Sequence, residues 1–166
     1  MGINTFQNIA ETCKLVQLYG PVSFSGAVNS LFVNTTKYAH LSLLVSIGTQ
    51  AAATTITVTN STDSAGAGET AIGFDYFLTS QATTQASAAD LMGARTTVSA
   101  SGVATDGATT GVIYAIEIPV ISLTPTYSWV RVKFSSPGAA VLGSVVAVLT
   151  TARYAGAPAN MPTALA

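Results

Sequence analysis

One histidine, one cysteine and seven carboxylates bound the chemistry open to this chain. A Ser-His-acid triad would have to run through His40, and no serine stands in a Gly-x-Ser-x-Gly elbow. A zinc site needs three or four His, Cys or carboxylate ligands, which His40 and Cys13 do not begin to supply. The loop "GAGET" at 66–70 has the glycines of a phosphate loop but not its Lys-Ser/Thr pair. Asp63, Glu69 and Asp75 lie in and just after one Gly-rich stretch and are the candidates for a calcium ion, although their spacing is not that of an EF-hand. Two carboxylates for glycoside hydrolysis must share a cleft, and no spacing here singles out a pair. The expectation is a protein that is not an enzyme, with no cofactor and no metal.

The remaining pattern is "YSWVRVKFSS" at 127–136. In an extended segment Val130, Val132 and Phe134 point one way and Trp129, Arg131 and Lys133 the other. An indole between two cations suits stacking on a sugar or a base, or a contact with protein, where Trp, Tyr and Arg are enriched. Sugar and single-strand binders normally set several aromatics on one face, and here there is one tryptophan. With six basic residues, a net charge of −1 and no basic stripe, nucleic acid is not the expected partner. Trp129, Arg131 and Lys133, together with Tyr154, are the candidate protein-interface residues.

The elements that would position them are almost all strands. "YAHLSLLVSIG", "TTITVTN", "AIGFDYFLTS", "GVIYAIEIPVISL" and "YSWVRVKFSS" alternate apolar and polar residues between Gly, Asn, Ser and Pro clusters. "SVVAVLTTARY" is apolar on both faces, which predicts a central strand covered on both sides, by a second sheet and by a partner subunit. Phe6, Ile9, Ala10, Cys13 and Val16 fall near helical spacing and predict a short helix or arm over 5–17, ended by Gly20-Pro21. A weaker helical pattern runs from Thr83 to Met92. The fold class expected is all-β: an antiparallel, jelly-roll-like β-sandwich forming a single domain over 1–166. Its appendages are an N-terminal arm or helix (1–20), a long insertion loop (79–111) and an extended C-terminal arm (155–166).

Composition sharpens this. Apolar residues make up 49 % and charged ones 8 %, against a typical charged share of about 25 %. A surface so poor in charge fits a subunit whose faces are covered by other protein. There is no secretory pattern at the start and no apolar run long enough for a membrane span, so no membrane partner is expected. Asn34-Thr-Thr36 and Asn60-Ser-Thr62 match glycosylation sequons only by coincidence. Cys13 is expected as a small buried side chain.

The order "KLVQLYGPVSFSG", "YAHLSLLVSIGTQAAATTITVTNSTDSAGAGETAIGFDY", "YSWVRVKFSSPGAA" and "SVVAVLTTARYAG" resembles small structural proteins of tailed bacteriophages. That resemblance spans most of the chain and rests on strand texture, so it carries over no functional residue. It implies a virion protein made in the host cytoplasm, most simply a capsid cement or decoration protein that binds the major capsid protein at the capsid surface. The 79–111 segment departs from the pattern and leaves room for a tail or head–tail connector position. The expected state is a homotrimer, and removal of 156–166 is expected to weaken binding to the assembly while leaving the fold intact. A carbohydrate-binding module built around Trp129 is the alternative from another class.

Overall fold

The computed structural model describes residues 9–79, 91–108, 111–152 and 163–165. After a single helical turn, α1 (Ile9–Thr12), the chain is a succession of strands: β1 (Cys13–Phe24), β2 (Val28–Asn29), β3 (Val33–Asn34), β4 (Tyr38–Gln50), β5 (Thr55–Ser61), β6 (Thr70–Ile72), β7 (Phe74–Leu78), β8 (Thr96–Val98), β9 (Val103–Ala104), β10 (Val112–Pro119), β11 (Trp129–Phe134) and β12 (Val141–Ala152). One sheet runs β1-β12-β4-β10-β7-β8 and the other β2-β11-β5-β6, with β3 also on β11 and β9 on β5. Every pairing is antiparallel. Setting aside β7 and β8, the order β1-β12-β4-β10 against β2-β11-β5-β6 is that of a jelly roll, in which two Greek keys wrap one core.

Alternation decides which face goes inside. On β4, Leu41, Leu43, Val45 and Ile47 are fully buried, and they meet Ile56 and Val58 of β5 and Val130, Val132 and Phe134 of β11 in one core. Burying each such side chain contributes roughly 1.5–3 kcal/mol. Phe134 packs between Phe24 and Tyr19, at ring-centroid distances of 5.1 and 6.2 Å, and closes one end of the sandwich.

Three sequence expectations change. The stretch read as a helix over 5–17 is helical only at Ile9–Thr12 among the described residues; Cys13 onward is edge strand, because Val16 and Leu18 alternate into the core. Gly20-Pro21 does not end the element. It sits where the β1–β12 register shifts, between Tyr19 and Val22, on the outer edge where a residue without N–H is tolerated. The 79–111 segment is not wholly loop. It contains β8 and β9, and Met92 bridges Thr79; most of the Thr83–Met92 helix pattern lies outside the described residues.

At the other end, residues 163–165 lie on their own domain. Ala164 is 1 % exposed within the core cluster, and its carbonyl accepts the Asn34 N–H at 2.8 Å. No helix among the described residues is long and apolar enough to cross a membrane.

Candidate functional site

On the outer side of the smaller sheet, β11 presents Trp129, Arg131 and Lys133 opposite Ser61, Thr59 and Thr57 of β5. The loop between β5 and β6 folds back over them. Asp63 organises that loop by accepting the N–H groups of Ala65 and Ala67, both at 2.9 Å. These bonds, that of Ala67 foremost, hold its carboxyl below the ordinary value. The turn delivers Glu69 onto β11. Arg131 donates Nε to Glu69 Oε1 at 2.8 Å and Nη2 to Oε2 at 2.5 Å, Thr59 donates to Oε1 at 2.5 Å, and Lys133 Nζ stands 3.6 Å away.

The pair is largely enclosed, at 17 % exposure for Arg131 and 18 % for Glu69. Arg131 also lies over the Phe32 ring, 4.3 Å from its centroid. The Arg131 hydrogen bonds hold Glu69 well below the usual carboxylate range, with help from Thr59 and the positive charge of Lys133. The fork of Arg131, the part that could clasp a phosphate or a partner's carboxylate in two places, is therefore already engaged inside the chain. Trp129 is half-buried beside it. Tyr154 lies outside the described residues.

The calcium candidates do not converge. Asp63 caps its own loop and Glu69 binds Arg131. Asp75 accepts Thr97 Oγ1 at 2.5 Å and pairs with Arg95, on the other sheet, and these two partners lower its pKa in that order. Among the described residues no group of three or more His, Cys, Asp or Glu is placed to hold a metal ion.

His40 meets an acid that its sequence neighbourhood does not announce. Its Nε2 is 2.5 Å from Glu117 Oε2, and Ser42 Oγ donates to the same oxygen at 2.6 Å. The three residue types are those of a triad, but the order is wrong. A nucleophilic serine must give its proton to the histidine, with the acid behind it. Here the carboxylate stands between the two, and the cluster is a polar clasp joining β4 to β10.

A cavity of about 490 Å³ opens between the sheets, walled by Ile72, Phe74, Val98, Ile118 and Leu123, with Asn60 among its lining residues. The carboxylates on its border, Asp75 and Glu117, are the two already bound to Arg95 and His40. Asn60 is itself 4 % exposed, so its sequon is shut inside the sandwich.

The feature the residue-by-residue search for chemistry did not isolate is the outer face of the larger sheet. Across five strands the register aligns Gln17, Val146, Leu44, Ala115 and Phe77 in one row, and Leu15, Val148, Ser42, Glu117 and Asp75 in a parallel row. Leu15, Leu44, Ile113 and Leu142 stand 36–51 % exposed. Among the described residues its ionisable groups, Glu117, His40 and Asp75, sit together at one end and are bonded to one another or to Arg95. The two-faced apolar pattern of "SVVAVLTTA" was the sequence signal for this surface. The partner of Arg131 had a fainter one: a cation on a strand of a chain so poor in charge needs an acid, and Glu69 closes the loop nearest in the fold.

No protein-family model, curated protein or solved structure matches this chain.

Proposed function

We propose that the protein is a non-enzymatic virion structural protein that binds a phage capsid and stabilises it as a cement or decoration subunit. The observation that carries this reading is the broad, nearly uncharged outer face of the larger sheet. Exposed apolar areas of more than a few hundred Å² mark surfaces that meet another macromolecule. The phage-like strand texture supplies the virion setting. The jelly roll is compatible with it, since capsid proteins use this architecture, but so do lectins, and fold alone assigns no function. Among the described residues, the guanidinium of Arg131 is occupied by Glu69 and the order of Ser42, Glu117 and His40 is not that of a triad. Many weak, symmetric contacts would add up to mechanical reinforcement of a shell.

The test is co-sedimentation of the purified chain with undecorated heads of the phage that encodes it. Saturable binding, at a copy number that matches a set of symmetry axes, supports the reading. Binding only to tails or to the neck would move the protein to the connector alternative. Failure to bind any particle, with retention on a glycan surface that is lost in Trp129→Ala, would replace it with carbohydrate recognition.

A further inference from the structure

We infer that the outer face of the larger sheet is a self-pairing surface, on which a second copy of this chain packs sheet against sheet about a two-fold axis. Three observations select this occupant.

The first is size. Five strands spaced ~4.8 Å apart, over about eight residues at ~3.3 Å each, make a face on the order of 600 Å². Two copies would bury about 1,200 Å², the lower bound for a specific protein pair.

The second is relief. Ser42, Ser46, Ser144 and Ala115 give the face small side chains between the larger apolar ones. Leu142 lies down across Gly48, with its Cδ2 2.9 Å from where a Cβ would stand. The result is a low, smooth surface. A sheet of the same twist fits such a surface at about −30° and ~10 Å separation, and an identical copy has that twist by construction.

The third is charge. The ionic groups at the end of the face are already spent, Glu117 on His40 and Ser42, and Asp75 on Arg95 and Thr97. A basic or acidic partner would find no free counter-charge there, whereas a neutral twin needs none and can leave that end of the face at its solvated margin. The two-fold operation also brings the centre of the face, near Leu44 and Val146, onto itself, so one apolar cluster is completed by its own copy. "SVVAVLTTA" then has the two apolar surroundings that its sequence demands, the core beneath and the partner's β12 and β4 above.

This pairing uses the same face as the capsid reading, so a copy paired through it would have to meet a shell by other surfaces. The pairing is tested on the protein alone. Sedimentation equilibrium of the full chain at tens of micromolar should give twice the chain mass. Leu44→Glu and, separately, Ser46→Arg should halve that mass while Thr57→Glu, on the outer side of the smaller sheet, leaves it unchanged. Ser46→Arg removes no apolar contact, so it keeps the test valid if Leu44→Glu unfolds by circular dichroism. A monomeric wild type overturns the inference, as does a trimer, the order expected from the sequence. So does a dimer that survives both face variants. A monomer whose Ser46→Arg form no longer binds heads would give the face to the shell and overturn the pairing equally.

Discussion

Glu69 and Arg131, 62 residues apart in sequence, meet through both oxygens of the carboxylate and two nitrogens of the guanidinium, and this one pair ties the β5–β6 loop to the centre of the smaller sheet. The geometry is bidentate, the groups are mostly enclosed, and Phe32 covers the guanidinium from one side. Hydrogen bonds to charged groups contribute about 1.5–3 kcal/mol, and removing one partner leaves the other uncompensated. Glu69→Gln and Arg131→Met should therefore each lower unfolding stability by about 2 kcal/mol in urea. The double variant should lose much less than the sum. The exposed Arg95–Asp75 pair, treated the same way, should show little coupling. Equal coupling energies for the two pairs would contradict this assignment.

The same pair sets the acid response. Glu69 is held below its ordinary 4.5, chiefly by Arg131, and Asp63 and Asp75 lie below their ordinary 3.8. A lowered folded pKa adds stability that is complete above the unfolded value and is lost as pH falls through the folded one. Stability should thus decline below about pH 4.5, and Glu69→Gln should make that decline shallower. At the alkaline end the sign reverses. Burial pushes Tyr114 up to about 12, with Asp106 and Tyr76 adding to it, so the unfolded chain ionises first and stability should fall between about pH 10 and 12. Thermal melts across both ranges, with and without Tyr114→Phe, check this.

The C-terminal residues 163–165 should matter to the fold itself, against the sequence expectation that removal of 156–166 leaves it intact. Ala164 is buried and its carbonyl pairs with Asn34 on β3. Truncation before Thr163 removes one buried methyl and one backbone hydrogen bond, worth about 1–2 kcal/mol together. A melting temperature that does not change would place the tail's contribution elsewhere.

Two left-handed glycines make a controlled comparison. Gly102 has φ 81° and a Cβ there would meet the Ile56 carbonyl oxygen at 2.4 Å, whereas Gly138, at φ 75°, has nothing within 4 Å. Gly138→Ala should cost about 1 kcal/mol for backbone strain alone. Gly102→Ala should cost at least about 3 kcal/mol, since β9 must also draw back from β5. Denaturant midpoints at matched slopes read both.

The strands that carry the core were legible because burial imposes period two on them. Leu41 to Ile47 and Val130 to Phe134 can only be read one way. The start of the chain was not, because Cys13 and Val16 fit a helical spacing as well as Val16 and Leu18 fit a strand, and only the β12 neighbour decides between them. The grouping of Asp63, Glu69 and Asp75 came from closeness in sequence. The chain between Glu69 and Asp75 passes from one sheet to the other, and so the acids part. Arg131, Lys133 and Trp129 were placed on the correct side of β11 by alternation alone. That a loop with its own acid would cover two of them depends on how "TNSTDSAGAGET" folds, and no periodicity encodes that. The Ser42–Glu117–His40 clasp was hidden for the same reason: His40 and Glu117 are 77 residues apart and meet only when β4 lies against β10.

The edge strand β1 leaves a last consequence. It is twelve residues long and borders the larger sheet, where a straight apolar strand would be a template for any passing copy. Two register shifts bend it at Tyr19 and Val22, Pro21 lacks an N–H, and the Leu18 carbonyl is already taken by the Leu31 N–H at 2.9 Å. Broken in this way, the rim cannot be extended into a continuous ribbon. A chain this rich in β-branched residues and this poor in charge would otherwise be prone to fibre formation. The bent rim thus disfavours strand-by-strand growth, whatever surface the chain uses to meet a partner.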